Sequence, residues 1–288
     1  MIPDTRIAVI GLGLMGGSIA RALHARGVRV LGYDRDGTQL DAAVREGVVH
    51  EALDSSLEGL ASAEVVMLAL PVDATIEMIG CVAPHVGAAR LVMDVASTKR
   101  SIVVAAEAAG LGPRYVGAHP LTGSHRSGWG ASRASLFEDA RVFLCPTPST
   151  AVSTLALAES LWRELRAGVE LLDAAEHDDQ MAWRSHLPHL LSSALALTLR
   201  DAGVRRSALG PGGRDMTRLA GGAPTMWGPI VADNATPIVE ALEACEARLR
   251  GFREALLNSD RVETRRFLES AAEWFDGERE RVLTRGRT

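Results

Sequence analysis

Lysine is almost missing from this chain. Of its 288 residues 31 are Lys or Arg, and Lys99 is the one lysine among them. A mechanism that needs a lysine ammonium therefore has a single position to draw on. Aromatic residues make up 4% of the chain against 47% hydrophobic residues in all, so the core must be aliphatic, built from Ala, Val and Leu. Cysteine is scarce too. Cys81, Cys145 and Cys245 are odd in number and far apart, with no CxxC or Cys/His spacing. That excludes a disulfide framework and fits a reducing cytoplasm. Positive charge is not in excess, and a formal charge of -5 argues against nucleic acid as a partner. No apolar run reaches the roughly 20 residues of a membrane helix. A strand pattern starts within the first few residues, so no signal peptide is expected. The expectation is a soluble, cytoplasmic protein, long enough for two domains.

The glycines that are present are placed with purpose. Arg6 to Ile10 is a short apolar run, followed by Gly11-Leu12-Gly13-Leu14-Met15-Gly16. Ile19, Ala20 and Leu23 then share one helical face, and Gly27 stops the helix. A second strand, Val28 to Tyr33, ends at Asp34, 23 positions beyond Gly11. GxGxxG alone is weak evidence; with a strand before, a helix after and this acidic residue, it marks a dinucleotide-binding unit. Gly11 makes the tight turn, Gly13 lets backbone approach a pyrophosphate, and Gly16 lets helix and strand pack closely. The helix start at Leu12, Leu14 and Met15 turns amides and dipole toward the anion. Asp34 accepts from ribose hydroxyls, and its repulsion of a 2′-phosphate is on the order of a few kcal/mol. NAD is thereby favoured over NADP, although Arg35, next in sequence, offsets part of that repulsion.

The strand–helix rhythm continues. Glu64 to Leu70 is a strand closed by Pro71, and Leu70 and Pro71 join the cofactor-binding set; Asp73 caps a helix containing Ile76 and Ile79. Leu91 to Val95 leads into Ala96-Ser97-Thr98-Lys99 and another helix. Tyr115 to Ala118 comes next, then His119, then Arg141 to Cys145, a helix near Ser153 to Ala167, and Val169 to Leu172. Alternation at this spacing predicts a largely parallel sheet with helices on both faces. Ser97 and His119 then both sit just past C-terminal strand ends, where open α/β sheets bind ligands. His119 opens a segment, Gly117 to Gly128, that Pro120 and its glycines keep from being helical. A loop histidine alone is more often structural than reactive. Beside Ser97 and a nucleotide turn, His119 becomes the candidate proton acceptor.

From Ala174 onward strand signals vanish. The division expected is a dinucleotide-binding domain over 1–173 and a helical substrate-binding and dimerisation domain over 174–288. Its first segment carries His177, His186 and His189; the last two share a helix face, with Pro188 between them as a kink. A zinc site lacks a third ligand at suitable spacing, so no metal is expected, and a polar cleft lining and a satisfied core histidine are the readings weighed. Arg214-Asp215-Met216-Thr217-Arg218 admits a surface pair between Asp215 and Arg218, or an arginine fork turned to a substrate carboxylate. Trp227 fits either core or cleft. Thr236 and Pro237 open a long helix in which Ile238, Leu242, Cys245, Leu249, Phe252 and Leu256 form a four-three seam. Such a seam is usually helix packing; on a second domain it suits a homodimer. The terminal helix, Asp260 to Leu283, ends in an arginine-rich tail that reads as solvated.

Together these segments resemble the prephenate and arogenate dehydrogenases of tyrosine biosynthesis. The motifs that carry the resemblance are Gly11 to Gly16, Asp94-Val95-Ala96-Ser97-Thr98-Lys99, His119-Pro120-Leu121-Thr122-Gly123, His177-Asp178, Ser185-His186-Leu187-Pro188-His189, Arg214 to Arg218, and Trp227. They run through nearly the whole chain in order. The resemblance implies oxidative decarboxylation of prephenate to 4-hydroxyphenylpyruvate with NAD taking a hydride. It makes His119 the acceptor of the ring-hydroxyl proton and Ser97 the residue that orients His119 and the hydroxyl. It gives Arg218 a substrate carboxylate, and His189 and His186 the pyruvyl side chain. Ser124, His125 and Trp227 complete the expected substrate set.

Position 125 holds glutamate in some relatives and histidine in others. His125 offers no carboxylate to the amine of arogenate, which favours prephenate. From the length of the sequence, neither a regulatory ACT domain nor a fused chorismate mutase is expected. The alternatives are an arogenate, dual-specificity (cyclohexadienyl) or amino-deoxyprephenate enzyme, and an NAD-binding sensor without catalysis. A β-hydroxyacid dehydrogenase fits poorly, because its catalytic lysine belongs after the nucleotide domain and Lys99 lies within it.

Overall fold

The computed structural model describes residues 5–87, 89–124 and 126–285. Their contacts form two compact units, Met1–Pro237 and Ile238–Thr288. No helix among the described residues is long and apolar enough to cross a membrane.

The first unit is organised by one sheet. Its elements in chain order are β1 (Arg6–Ile10), α1 (Leu14–His24), β2 (Arg29–Tyr33), α2 (Gly37–Arg45), β3 (Glu51–Ala52), β4 (Val65–Leu68), α3 (Val72–Val82), β5 (Leu91–Asp94) and α4 (Arg100–Ala108). Then come β6 (Tyr115–Pro120), β7 (Arg141–Pro146), α5 (Val152–Glu164) and β8 (Gly168–Leu171). The strand order is β3-β2-β1-β4-β5-β6-β7-β8. Residue alternation explains why both faces are covered. Ile7 and Val9 of β1 enter one apolar cluster with Ile19, Leu23, Leu161 and Trp162; Ala8 and Ile10 enter the other with Ile79, Val82, Ile102 and Tyr115. Strands buried on both sides read as continuous apolar runs, as these do. Each fully buried Ile, Leu or Val contributes roughly 1.5–3 kcal/mol, and that is what holds helices to both faces.

Two local expectations are corrected, and one element is added. β6 extends through His119 and Pro120, because β7 runs antiparallel to it and continues the ladder, His119 opposite Phe143 and Pro120 opposite Val142. His119 is therefore a strand residue. The N-cap of α3 is Pro71, and Asp73 sits inside the first turn, accepting from the Ala74 amide at 2.8 Å. The short β3 was not expected; two residues are too few to show a period.

The helical run begins at α6 (Ala174–Met181), whose first amides are capped by the Asp173 side chain. It passes through a π-helical stretch, Ala182–His186, into α7 (Leu187–Asp201). The anticipated disturbance at Pro188 takes this form: proline has no N–H for the carbonyl four residues back, and the wider turn accommodates its ring. α8 (Pro211–Met216) and α9 (Pro224–Asp233) follow.

Into the second unit run α10 (Ala235–Leu257) and α11 (Arg261–Arg285). Asp260 caps α11, accepting from the Val262 and Glu263 amides at 3.0 Å each. The Phe252 and Phe267 rings stack 4.5 Å apart. Along the predicted seam Leu249 is 57% and Leu256 54% exposed in the single chain.

Candidate active site

The glycine turn forms a cradle at the carboxyl end of β1, between β2 and β4 where the strand order reverses. Gly11 has φ +89°, and a Cβ there would stand 2.5 Å from the Ala69 carbonyl oxygen; a Cβ on Gly16 would overlap the Gly11 carbonyl. Both positions require glycine. A Cβ on Gly13 would meet nothing within 4 Å, so the backbone there faces open space. Asp34 stands at the end of β2 with Oδ2 accepting from the Leu12 amide at 2.6 Å and Oδ1 from Asp36 at 2.8 Å. Leu70 is half-buried and Pro71 exposed at the end of β4, and Leu14 and Met15 are half-buried in the first turn of α1.

His119 is half-buried near the end of β6. Its Nδ1 lies 2.8 Å from His177 Nε2 on α6, the rings meeting edge to face at 5.0 Å. His177 Nδ1 lies 2.8 Å from Asp178 Oδ1. The Asp178 carboxylate also closes the start of α4, Oδ1 accepting from the Lys99 amide and Oδ2 from the Arg100 amide, both at 2.8 Å. α4 has no capping side chain of its own, so this carboxylate satisfies amides that would otherwise be unpaired. Beside it Lys99, fully buried, ion-pairs with Asp94 Oδ1. The Tyr115 hydroxyl donates to Asp94 Oδ2 at 2.8 Å, and the Ala96 amide to Oδ1 at 2.9 Å.

Burial first, then the repulsion its charged form would meet from a protonated His177 and from Lys99, pushes the His119 imidazole well below its ordinary range. It is neutral at physiological pH and able to accept a proton. Burial also lowers His177. The Tyr115 phenol is raised by burial and by Asp94, and burial pushes the Cys145 thiol up to about 12, so both stay protonated.

The helical layer is tied to this set by Asn234, the C-cap of α9. Its Nδ2 donates to the Asp178 carbonyl oxygen at 2.7 Å and to His186 Nδ1 at 3.1 Å. His186 is buried, and that burial lowers it to about 4. Its ring meets Trp227 edge to face at 6.0 Å, and Trp227 stacks on His189 at 3.6 Å. Gly222 makes that stack possible, since a Cβ there would stand 2.7 Å from Trp227 Nε1 and 3.3 Å from His189 Cε1. His189 is lowered by burial and then by the charge of Arg218. Arg218 is exposed, and among the described residues it forms no ion pair, with Asp215 or otherwise.

One series of contacts thus joins His119, His186, Trp227 and His189, which the sequence placed up to 108 positions apart, and the charge of Arg218 acts on its last member. Ser97 is half-buried on the loop after β5, but the Nδ1 partner of His119 is His177, not Ser97. Ser124 is exposed and accepts from the Arg126 amide at 3.1 Å. His125 lies outside the described residues. The partners that sequence reasoning did not assign are His177 to His119, Asn234 to His186, and Asp94 to Lys99. The only signals for the first were the adjacent His177-Asp178 pair and its place among the family motifs.

Two family models account for most of the chain. The nucleotide-binding domain of prephenate dehydrogenase matches residues 19–171, and the dimerization domain of prephenate dehydrogenase matches residues 173–270. The chain belongs to the prephenate dehydrogenase family. A prephenate dehydrogenase of Bacillus subtilis is 33% identical over 282 residues, spanning 94% of this chain and 75% of that protein. Among solved structures, prephenate dehydrogenase from A. aeolicus in complex with hydroxyphenyl propionate and NAD+ superposes with a TM-score of 0.88 at 30% identity, covering 97% of this chain and 99% of that one. Synechocystis arogenate dehydrogenase gives a TM-score of 0.82 at 29% identity, covering 96% and 100%. Membership in this family agrees with the fold of the first unit, a nucleotide-binding sheet followed by helices.

Proposed function

We propose that this chain catalyses NAD-dependent oxidative decarboxylation of prephenate to 4-hydroxyphenylpyruvate, a step of tyrosine biosynthesis. The observation that carries the reading is a neutral, half-buried His119 near the end of β6, in one sheet with the glycine cradle and Asp34. The cradle fits a dinucleotide: Gly13 leaves open space where a Cβ would stand, and Asp34 offers a carboxylate at the ribose position. Gly11 through Gly16, Asp34, Leu70 and Pro71 are the residues that would hold NAD. When bound, NAD supplies the hydride acceptor, so that prephenate and NAD+ give 4-hydroxyphenylpyruvate, carbon dioxide and NADH.

No proton appears in that balance. The proton His119 takes from the ring hydroxyl is therefore returned to the same oxygen, as the bond to the carboxylate carbon breaks and its electron pair enters the ring. Holding a proton this way is worth roughly 10²–10⁴ in rate. Ser97 binds the substrate hydroxyl, and Arg218 takes the ring carboxylate in the planar geometry a guanidinium favours. His189, stacked on Trp227, holds the pyruvyl side chain with His186 behind it, and Trp227 walls the ring. Ser124 borders the substrate, and a histidine at position 125 of the sequence favours prephenate over the amine of arogenate. In this reading residues 1–173 bind the nucleotide, and residues 174–288 complete the substrate site and pair two copies as a homodimer. The meeting of the two family models at 171 and 173 supports the boundary, and the second model supports the dimer.

The test is steady-state turnover of purified protein with prephenate or arogenate, each with NAD or NADP. The expected result is NADH formation with prephenate and NAD. Faster turnover with arogenate would assign the other substrate, and no reduction in any of the four mixtures would end the enzyme reading.

A further inference from the structure

We propose that His177, backed by Asp178, is a positioning residue that holds the Nδ1–H of His119 and leaves Nε2 as its one basic nitrogen. The inference rests on the reading of His119 as the base and adds the means by which the correct tautomer is selected. Donors and acceptors along the series fix where each hydrogen sits. Both Asp178 oxygens already accept backbone amides, from Lys99 and Arg100, so the carboxylate meets His177 as an acceptor. At 2.8 Å from that oxygen, His177 Nδ1 must carry hydrogen. A neutral His177 then has only a lone pair at Nε2, and the nitrogen 2.8 Å from it, His119 Nδ1, must be the donor. Neutral His119 is thereby fixed with hydrogen on Nδ1 and none on Nε2.

Each part of the series is fixed independently of substrate. Asp178 is held by the start of α4 and its backbone carbonyl by Asn234, while the His177 ring is fully buried and meets Phe143 edge to face at 5.6 Å. Because His119 returns its proton to the substrate oxygen, the series needs no exit to solvent. Its task is to set the tautomer and to place a carboxylate behind the transient imidazolium, which a buried site otherwise disfavours.

The test combines two variants with one measurement on the unaltered chain. His177→Phe keeps a buried ring and removes the acceptor; His177→Gln restores an acceptor near the position of Nε2. With prephenate and NAD, His177→Phe should lose roughly 10-fold or more in kcat, as part of the general-base contribution. KM for prephenate and Kd for NAD should stay within about 3-fold, since the His177 side chain is fully buried, and His177→Gln should recover most of the loss. Equal losses in the two variants, or a loss carried by KM, would mean that His177 only fills space. Should either variant fail to fold, ¹⁵N-histidine NMR of the unaltered chain decides, with the His119 signals assigned by their absence from His119→Asn. A signal from protonated Nδ1 and bare Nε2 at neutral pH is expected, and the opposite tautomer overturns the proposal. The tautomer reads whether or not prephenate is turned over, so failure of the substrate reading is told apart from failure of this one.

Discussion

Replacing Lys99 by methionine removes the positive half of a fully buried ion pair while keeping most of the side chain's volume. In the native chain Asp94 receives the Lys99 ammonium, the Tyr115 hydroxyl and the Ala96 amide. Lys99→Met leaves that carboxylate buried with only the last two. Breaking one side of a buried pair costs about 3–5 kcal/mol, because the remaining charge is left without compensation. For a unit of this size each kcal/mol lowers the melting midpoint by roughly 2–4 °C, so the expected drop is about 6–20 °C. Differential scanning calorimetry measures it. Adding Asp94→Leu should recover a large part of the loss, since an apolar pair of similar volume tolerates burial well. A kinetic consequence has a definite sign. Lys99 helps hold His119 below its ordinary range, so removing its charge raises the imidazole toward the ordinary value. The acid limb of kcat/KM, where His119 must be neutral, then moves to higher pH. A variant as stable as the parent with an unmoved acid limb would refute the buried pair and its influence on His119.

Asp34→Ala should raise KM for NAD by about 10- to 100-fold, the equivalent of hydrogen bonds to a charged group, and shrink the preference over NADP; an unchanged ratio of kcat/KM for the two nucleotides would place the ribose elsewhere. Gly222→Ala drives a methyl group against Trp227 and His189, so KM for prephenate should rise several-fold with little change in NAD binding; unchanged kinetics would take the stack out of the substrate site. Leu249→Arg with Leu256→Arg should turn a dimer into a monomer in sedimentation velocity, and a persistent dimer would put the interface off this seam.

What the sequence discloses here follows the range of the physics involved. Gly11, Gly16 and Asp34 were legible because their roles are local: a turn with positive φ, a close approach of helix to strand, a strand end. The length of β6 was not, because it depends on the direction of β7, and the segment between them carries no sign of direction. That is why His119 was expected past a strand and is found within one. Its partner was hidden for a similar reason. His177 is 58 positions away, and only the folding of α6 against β7 brings the rings together. Lys99 stood out by rarity, yet its pairing with Asp94 follows from the turn after β5, which has no helical or strand period. Trp227 was ambiguous between core and cleft; in the structure it packs against an apolar cluster that includes Ile230 and lays its ring on His189.

The central claim is that His119 accepts the proton of the substrate hydroxyl at a site that is otherwise assembled without it. The most direct measurement is kcat of His119→Asn with prephenate and NAD, together with the Kd of prephenate. The account predicts a loss of at least about 100-fold in kcat, the lower end of general-base catalysis, with binding nearly intact. A near-normal kcat, or a loss confined to binding, would contradict it.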